Sequence, residues 1–269
     1  MSRSRKEGEG ETVQAVTRAL SLLELLSGET DPITITELSK KARLKLTTTH
    51  RLLSTLLSRG FVSQDSVSFK YQLGLKSFEI GVAAMASMDL TTTAKPFLKT
   101  LAAETTETTN LAILDGSEVV YIDQLESTNM VIVKMFARIG SRGPAYCTGT
   151  GKVLLAGLPE DELRRRLAGV NFIKFTERTI TDITELITIL KQIRTDGYAL
   201  DFSERDEGVT CVAAPIKNHE NRVQAAISVS GPIHRMTEER IFGEILPSVL
   251  KAAHCISESL GYRGVSVSV

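Results

Sequence analysis

The sequence predicts an α+β protein with an N-terminal winged helix-turn-helix and a larger C-terminal α/β unit. Two amphipathic segments around a tight turn, followed by two short alternating segments, predict the winged helix. The stretch from Leu38 to Tyr71 contains seven basic residues and one acidic residue, in a chain whose net charge is zero. From Pro96 onward, short apolar strands alternate with helices, and a length of 269 residues favours two domains.

Three helices are predicted near the N-terminus. Apolar residues recur at helical spacing over residues 12–27, and Gly28 ends this helix. Thr36 is the expected N-cap of the second helix. The third helix starts near Thr47 and ends at Gly60. Its apolar face consists of Leu52, Leu53, Leu56 and Leu57.

The segments after the third helix predict a wing. Residues 61–64 and 68–73 alternate in polarity and predict two short strands around a turn. The winged domain is therefore predicted over residues 12–74. It follows a polar tail over residues 1–11 that lacks the apolar core of a signal peptide. Residues 75–92 are predicted to form a linker helix, a stiff connector between domains.

The third helix has the features of a DNA recognition helix. Its polar face carries hydroxyl groups and positive charge, and the basic stretch is typical of a nucleic-acid-binding module. Threonine suits phosphates and thymine methyl groups, and Arg51 suits a phosphate or a guanine. The predicted contacts to double-stranded DNA are Arg18, Arg43, Lys45, Thr47, Thr48, Thr49, His50, Arg51, Lys70 and Tyr71.

Three simpler explanations of this region remain open. The threonines can simply cap and start a helix. The basic stretch can be a solvated face without a partner. Tyr71 belongs equally well to the core of the wing.

The C-terminal part is predicted as an α+β sensor-like domain over residues 93–262, because antiparallel strands have helices before and after them. Strands are predicted over residues 110–114, 119–125, 131–135, 198–200, 210–216 and 223–229. Helices are predicted over residues 97–103, 151–156, 160–167, 182–196 and 237–260. The last helix is expected to be interrupted near Pro247, and Asp115-Gly116 predicts a hairpin turn.

The run Gly149-Thr150-Gly151-Lys152 is a fragment of a phosphate-binding loop. Tyr146 replaces the first glycine of the full pattern, and Val153 replaces the hydroxyl residue that holds magnesium. The sequence therefore argues against nucleotide hydrolysis. The glycines leave two readings of similar weight, which are a carboxylate-binding helix N-terminus and a plain helix entry.

Two further segments indicate a pocket. Small residues and one thiol over residues 197–204 and 208–215 are typical of a pocket floor. Ser228 and Ser230 are two apart, so in a regular strand they share one face and can line a polar cavity.

Catalytic, metal-binding and membrane-spanning patterns are lacking in the sequence. No G-x-S-x-G motif surrounds either serine, and Cys211 lies in an apolar strand where a thiol is usually inert. The three cysteines have no metal-ligand spacing, so no metal site is predicted. No cofactor and no enzyme activity are predicted either. No apolar run approaches the roughly 18–20 residues that cross a bilayer. The predicted location is the cytoplasm, where free thiols persist.

These motifs resemble the IclR family of bacterial transcription regulators. The likeness covers residues from about 13 to 262. It is carried by residues 197–204 with 208–215, by residues 138–140 with 148–156, and by the Thr-His-Arg-Leu-Leu run from Thr49. Residues 138–156 and 176–181 are most similar to the ketodeoxygluconate repressor branch.

The resemblance implies an N-terminal winged helix-turn-helix, a linker helix and a C-terminal GAF-like α/β effector-binding domain. It also implies homodimers or homotetramers on palindromic operators, and small organic acids as effectors. By position, the family's effector pocket falls on Ile132, Met135, Gly143, Gly149, Thr150, Asp201, Val209, Cys211, Ser228 and Ser230. Gly149 and Thr150 would offer backbone N–H groups to a carboxylate, the serines would hydrogen-bond it, and Asp201 would bind a hydroxyl or water.

The predicted function is a ligand-responsive repressor of a catabolic operon, controlled by a sugar acid or a 2-oxo acid. The alternatives are an activator that responds to an aromatic acid, a small-metabolite enzyme with an accessory winged helix, and a protein-interaction module.

The sequence departs from the common family pattern at two places. Leu46-Thr47-Thr48 replaces the common Lys-Ser-Thr, which leaves the operator sequence open, and Asn218 replaces a common Asp.

Overall fold

The computed structural model describes residues 13–86, 89–127 and 136–263. The chain divides into two units, residues 1–87 and residues 88–269. The strand predicted over residues 131–135 lies outside the described residues.

The first unit is a winged helix-turn-helix, as the sequence predicts. Its elements are α1 (Gln14–Ser27), α2 (Ile35–Lys41), α3 (Leu46–Ser58), β1 (Val62–Gln64), β2 (Tyr71–Leu73) and α4 (Leu75–Ala86). β1 and β2 pair antiparallel, with Val62 opposite Leu73. The apolar faces of the helices meet in one core, formed by Leu22, Leu26, Leu38, Leu53, Leu56, Val62 and Tyr71.

The N-cap of α2 was predicted wrongly. Thr34, not Thr36, caps this helix: its hydroxyl accepts a hydrogen bond from the Glu37 N–H at 3.3 Å. The Glu37 carboxylate accepts from the Thr34 N–H at 2.9 Å, which completes a capping box. Both threonines satisfy the residue preference of an N-cap, but only Thr34 has a glutamate three positions later.

The wing strands are shorter than the sequence predicts. The Asp65 carboxylate accepts the N–H groups of Val67 and Ser68 at 3.2 and 2.7 Å. Such an aspartate turn competes with strand pairing. The chain therefore turns over residues 65–70, and Lys70 lies beside the strand rather than inside it.

The second unit contains a six-stranded antiparallel sheet with the order β5-β4-β3-β8-β7-β6. Its strands are β3 (Thr108–Asp115), β4 (Glu118–Leu125), β5 (Arg142–Pro144), β6 (Ala199–Phe202), β7 (Val209–Lys217) and β8 (Val223–Pro232). Its helices are α5 (Asp89–Thr105), α6 (Gly149–Ala156), α7 (Glu160–Leu167), α8 (Ile183–Asp196), α9 (Glu238–Arg240) and α10 (Leu246–Ser259).

Two apolar cores lie on opposite faces of this sheet. One contains residues of α6, α7 and α8, and the other contains residues of α5 and α10. A π-helical turn, Ile241–Ile245, separates α9 from α10 directly before Pro247. This is the predicted interruption, because proline has no N–H to donate to the preceding turn. No helix in the described parts of the chain is long and apolar enough to cross a membrane.

Candidate functional sites

The exposed face of α3 forms one candidate site. Thr47, His50, Arg51 and Ser54 are exposed and recur at positions that share one helix face. Lys45, the N-cap of α3, is also exposed and makes no side-chain cap hydrogen bond. Hydroxyl, imidazole and guanidinium groups therefore cover a helix that contains no acidic residue. This chemistry suits the phosphates and base edges of DNA.

Two of the predicted DNA contacts are buried. The hydroxyl of Thr49 donates to the Lys45 carbonyl at 3.2 Å, and the side chain is fully enclosed. Tyr71 is 5% exposed and exchanges two backbone hydrogen bonds with Ile33, at 3.0 and 2.7 Å. Neither side chain can reach DNA in this arrangement. Tyr71 instead belongs to the core of the wing.

The remaining predicted contacts lie at or near the surface. Arg43 and Lys70 are exposed, and Thr48 and Arg18 are half-buried. Arg18, Thr48 and Arg51 line a groove of about 660 Å³ between α1 and α3, whose other walls are largely apolar.

The second candidate site lies on the face of the sheet that packs against α6. Ser230 on β8 is opposite Cys211 on β7, and Cys211 is opposite Asp201 on β6. Opposite residues of paired strands point to the same face, so the three side chains form one row. We call these three residues the polar row.

A hydrogen-bonded network extends the polar row toward β3 and β4. The side-chain amide of Asn110 donates to the hydroxyls of Ser228 and Ser230, each at 3.2 Å. The amide of Gln124 donates to the Asn110 oxygen at 2.8 Å and to the Ala137 carbonyl at 2.7 Å. Sequence reasoning missed Asn110 and Gln124. Asn110 is fully buried, and no local sequence pattern indicates its serine partners on a distant strand.

The N-terminus of α6 lies directly on the polar row. The Thr148 hydroxyl accepts the Gly151 N–H at 3.1 Å, which caps the helix. Among the described residues, the N–H groups of Gly149 and Thr150 have no hydrogen-bond acceptor. A Cβ atom at Gly149 would lie 3.1 Å from the Cys211 sulfur, so the glycine permits this close approach.

A cavity of about 30 Å³ lies between the helix end and the polar row. Its lining includes five predicted effector residues: Gly149, Asp201, Val209, Cys211 and Ser230. The other lining residues were not predicted. They are Tyr121, Phe136, Ala137, Thr148, Arg205 and Asp206.

Three other predicted pocket residues lie around this cavity, and two lie outside the described residues. Ser228 is fully buried beside Asn110, and the Thr150 hydroxyl lies 3.3 Å from the Tyr121 hydroxyl. Gly143 on β5 contacts the Phe136 ring. Ile132 and Met135 lie outside the described residues.

Burial governs the protonation of the polar row. It raises the pKa of Asp201 to about 7, and the negative charge of Glu204 adds to this shift. Asp201 is thus partly protonated near neutral pH and can donate a hydrogen bond. Burial also raises the pKa of the Cys211 thiol to about 11. Cys211 therefore remains a neutral thiol and not a nucleophile.

Lys152 of the glycine-rich motif is an internal partner and not a phosphate ligand. Lys152 is 2% exposed, and its ammonium group pairs with the Glu204 carboxylate and donates to the Leu200 carbonyl at 2.8 Å. The described residues contain no group of three His, Cys, Asp or Glu side chains that could hold a metal ion.

Two family models match the chain. The model of the IclR helix-turn-helix domain matches residues 15–66, and that of the bacterial transcriptional regulator IclR C-terminal domain matches residues 82–258. The regulator KdgR of Escherichia coli is 39% identical over 253 residues, covering 94% of this chain and 95% of KdgR. The repressor AllR of Escherichia coli is 37% identical over 252 residues, covering 93% of this chain and 91% of AllR.

Solved structures agree with this relationship. Transcriptional regulator RHA06195 from Rhodococcus sp. RHA1 superposes with a TM-score of 0.82 at 31% identity, covering 93% of this chain and 98% of that one. An IclR homologue from Microbacterium hydrocarbonoxydans, complexed with 4-hydroxybenzoate, has the same fold. Its TM-score is 0.80 at 23% identity, with coverage of 92% and 99%.

The curated relatives and the family models describe transcriptional regulators rather than enzymes. A winged helix-turn-helix with a basic recognition face is joined in this chain to a second unit with a polar pocket. The chain belongs to the IclR family of DNA-binding transcriptional regulators.

Proposed function

We propose that this regulator represses a catabolic operon and that a small organic acid relieves the repression. The supporting observation is the polar row beneath the N–H groups of Gly149 and Thr150, which have no acceptor in the described parts of the chain. Hydroxyl groups and a helix N-terminus together form a site for a carboxylate. The effector is a sugar acid or a 2-oxo acid, whose hydroxyl or oxo oxygens bind Ser230 and protonated Asp201.

The exposed face of α3 enters the major groove of the operator. Thr47, His50 and Arg51 contact bases and phosphates, while Lys70 on the wing contacts the flanking backbone. Two copies of the chain bind the two halves of a palindromic operator, and α4 connects the winged domain to the effector domain. This division follows the predicted domains over residues 12–74, 75–92 and 93–262.

The size of the cavity bears on how an effector acts. A cavity of about 30 Å³ holds one or two water molecules. An organic acid is larger, so binding must favour an arrangement with a wider pocket. The acid shifts the protein between two arrangements by its differential affinity for them. The free energy of this shift is what can lower the affinity for the operator.

A gel-shift titration on the DNA upstream of its own gene tests this proposal. Pyruvate, glyoxylate, ketodeoxygluconate and 4-hydroxybenzoate are added in turn to the protein–DNA complex. Release of the DNA by a sugar acid or a 2-oxo acid supports the proposal. Release by 4-hydroxybenzoate alone favours the aromatic-acid branch, and a DNA complex that none of the acids alters contradicts the assigned effector class.

A matched variant separates the two sites. Ser230→Leu fills the cavity without touching the winged domain, so it should abolish the response to the acid and leave the DNA complex intact. A protein that loses both activities, with an altered unfolding transition, would indicate misfolding. Ser230→Ala, which removes only the hydroxyl, then serves as the milder test.

A further inference from the structure

Arg205 contributes a cationic side chain to the wall of the effector cavity. It lies on the loop between β6 and β7, and the carbon of its guanidinium group lies 4.4 Å from the centre of the Phe136 ring and 4.0 Å from that of Phe175. Aromatic rings attract the cation but do not accept its N–H groups as strong hydrogen-bond partners. The N–H edge of the guanidinium therefore stays open for another partner.

Among the described residues, the guanidinium has one loose ion pair and no hydrogen-bond acceptor. Arg205 donates no hydrogen bond to any described residue, and its Nε atom is buried. The nearest carboxylate, that of Asp206, lies 3.7 Å from Nη1, beyond hydrogen-bond distance. The other oxygen of Asp206 accepts the Phe136 N–H at 2.7 Å. A buried donor without an acceptor is costly, and this cost disappears when an anion binds.

The loop that carries Arg205 is held firmly. Ser203 donates its N–H to the Val209 carbonyl at 2.8 Å and accepts the Gly208 N–H on its hydroxyl at 3.1 Å. The hydroxyls of Thr176 and Thr179 donate to the carbonyls of Ser203 and Glu204, both at 2.7 Å. These bonds fix both ends of the loop and place Phe175 beside it. The cation is thus positioned before any ligand arrives.

The other cation of this region, Lys152, is buried and behaves differently. Lys152 is paired with Glu204 and bonded to the Leu200 carbonyl, so its charge is compensated inside the protein. Asp201 and Asp206 also line the cavity, and Asp201 is partly protonated near neutral pH. Arg205 is therefore the cavity-lining cation whose hydrogen-bonding edge lacks a protein acceptor among the described residues.

We infer that Arg205 binds the carboxylate of the effector and makes the pocket selective for acids over neutral analogues of the same shape. This assignment rests on the proposed function. Arg205 is then the residue that makes the pocket prefer an anionic ligand. Arg205 lines the same cavity as Gly149 at the N-terminal end of α6, so both sources of positive charge face one carboxylate site. Neutral analogues forgo the charge-assisted hydrogen bonds.

The test compares acids with their amides on the full chain. Isothermal titration calorimetry measures pyruvate against pyruvamide, D-gluconate against D-gluconamide, and 4-hydroxybenzoate against 4-hydroxybenzamide. Wild-type protein should bind at least one acid more tightly than its amide. Arg205→Met should reduce this preference by about tenfold to a hundredfold, the worth of hydrogen bonds to a charged group. Arg205→Lys should retain part of it.

Two controls make the outcome decisive. Arg178→Met removes an exposed charge outside the cavity, so the acid-to-amide ratio should not change. Arg205→Gln is a second neutral variant in case the methionine variant unfolds, which its thermal transition reveals. Acid binding with an unchanged ratio in both neutral Arg205 variants overturns the inference and leaves the proposed function standing. Failure of all the acids to bind wild-type protein contradicts the proposed effector class as well.

Discussion

The Lys152 ammonium and the Glu204 carboxylate form an ion pair inside the C-terminal unit, 52 residues apart in sequence. Lys152 lies on α6 and Glu204 on the loop that carries Arg205. The pair therefore joins the helix whose N-terminus faces the cavity to the loop that supplies its cation. The ion pair thus joins two walls of the proposed effector cavity.

Removing the lysine should destabilise the protein strongly. Lys152→Met leaves the buried Glu204 carboxylate without its partner, which typically costs about 3–5 kcal/mol. Burial raises the pKa of Glu204, so the unpaired group is protonated at low pH and charged at high pH. The loss of stability should therefore grow as the pH rises. Chemical denaturation at several pH values measures it.

The matched controls are a double variant and an exposed pair. Lys152→Met combined with Glu204→Met should recover much of the stability, because no buried charge is left unpaired. Arg164→Met breaks an exposed pair with Glu160 and should have little effect. A Lys152→Met protein as stable as wild type would show that the pair is dispensable.

Effector affinity should depend on the protonation of Asp201. Its pKa is about 7. Above this pH, the ionised carboxylate repels an acid and no longer donates a hydrogen bond. Affinity for an anionic effector should then fall by up to about tenfold for each pH unit. Calorimetric titrations between about pH 6 and pH 8.5 measure this dependence.

Asp201→Asn provides the control, because an amide has the same shape and does not titrate. The variant should lose the pH step and bind the acid with nearly constant affinity. Glu204, Lys152 and Asp206 are the charged neighbours that affect this carboxyl group, and all three remain in the variant. An identical pH profile in both proteins would assign the titration to another group.

Arg51 should contribute to DNA affinity through a phosphate or base contact. Arg51→Ala should weaken binding by about 1–3 kcal/mol if the contact is to a base. If the contact is to a phosphate, the substitution should also reduce the salt dependence of binding. The logarithm of the association constant should then fall less steeply with the logarithm of the salt concentration, by a slope of about one. Gel-shift titrations at several salt concentrations distinguish the two contacts.

Lys191→Ala removes one positive charge from an exposed position on α8 and serves as the control. It should change neither the affinity nor the salt slope by a comparable amount. Equal affinities of the Arg51→Ala and wild-type proteins would place the DNA-binding surface elsewhere than on the exposed face of α3.

Phe69 at the tip of the wing should lower the stability of the protein and should contribute to DNA binding. It has a φ of +56° and is 67% exposed, an unfavourable combination for a bulky side chain. Phe69→Asn should raise the free energy of unfolding by a few tenths to about 1 kcal/mol, since asparagine tolerates this conformation better. If the ring contacts the operator, DNA affinity should fall at the same time.

Thermal unfolding and gel-shift titration of the same samples measure both effects. Val67→Asn is the control, because Val67 is also exposed at the wing, at 84%, but does not have a positive φ. Val67→Asn should not stabilise the protein. Lower stability of Phe69→Asn would show that the ring is held by packing rather than strained.

The sequence predicted the order of the elements because apolar spacing determines which faces are buried. The resemblance to a family also predicted five of the eleven residues that line the cavity. Thr49 was assigned to DNA although it is four and seven residues before Leu53 and Leu56, and this spacing places it on the apolar face. The helical spacing of Thr49 thus predicts its burial correctly, whereas its hydroxyl group wrongly suggested a DNA contact.

Other features depend on contacts between distant segments, which no local pattern contains. Asn110 lies in a strand next to Ser228 and Ser230, and Arg205 is enclosed by Phe136 and Phe175 from two separate segments. Lys152 looked like part of a phosphate loop because its partner Glu204 is remote in sequence. Each of these side chains acquires its role only when the sheet and its loops are assembled.

The pairing of β3 with β8 has a consequence for the synthesis of this protein. Asn110 cannot meet Ser228 and Ser230 until the chain has grown by 118 and 120 further residues. The N-terminal unit, with its own core, has left the ribosome long before then and can fold first. The centre of the sheet must wait for β8, and contacts between such distant segments form slowly. A nascent chain can thus carry a folded DNA-binding domain before the proposed effector pocket exists.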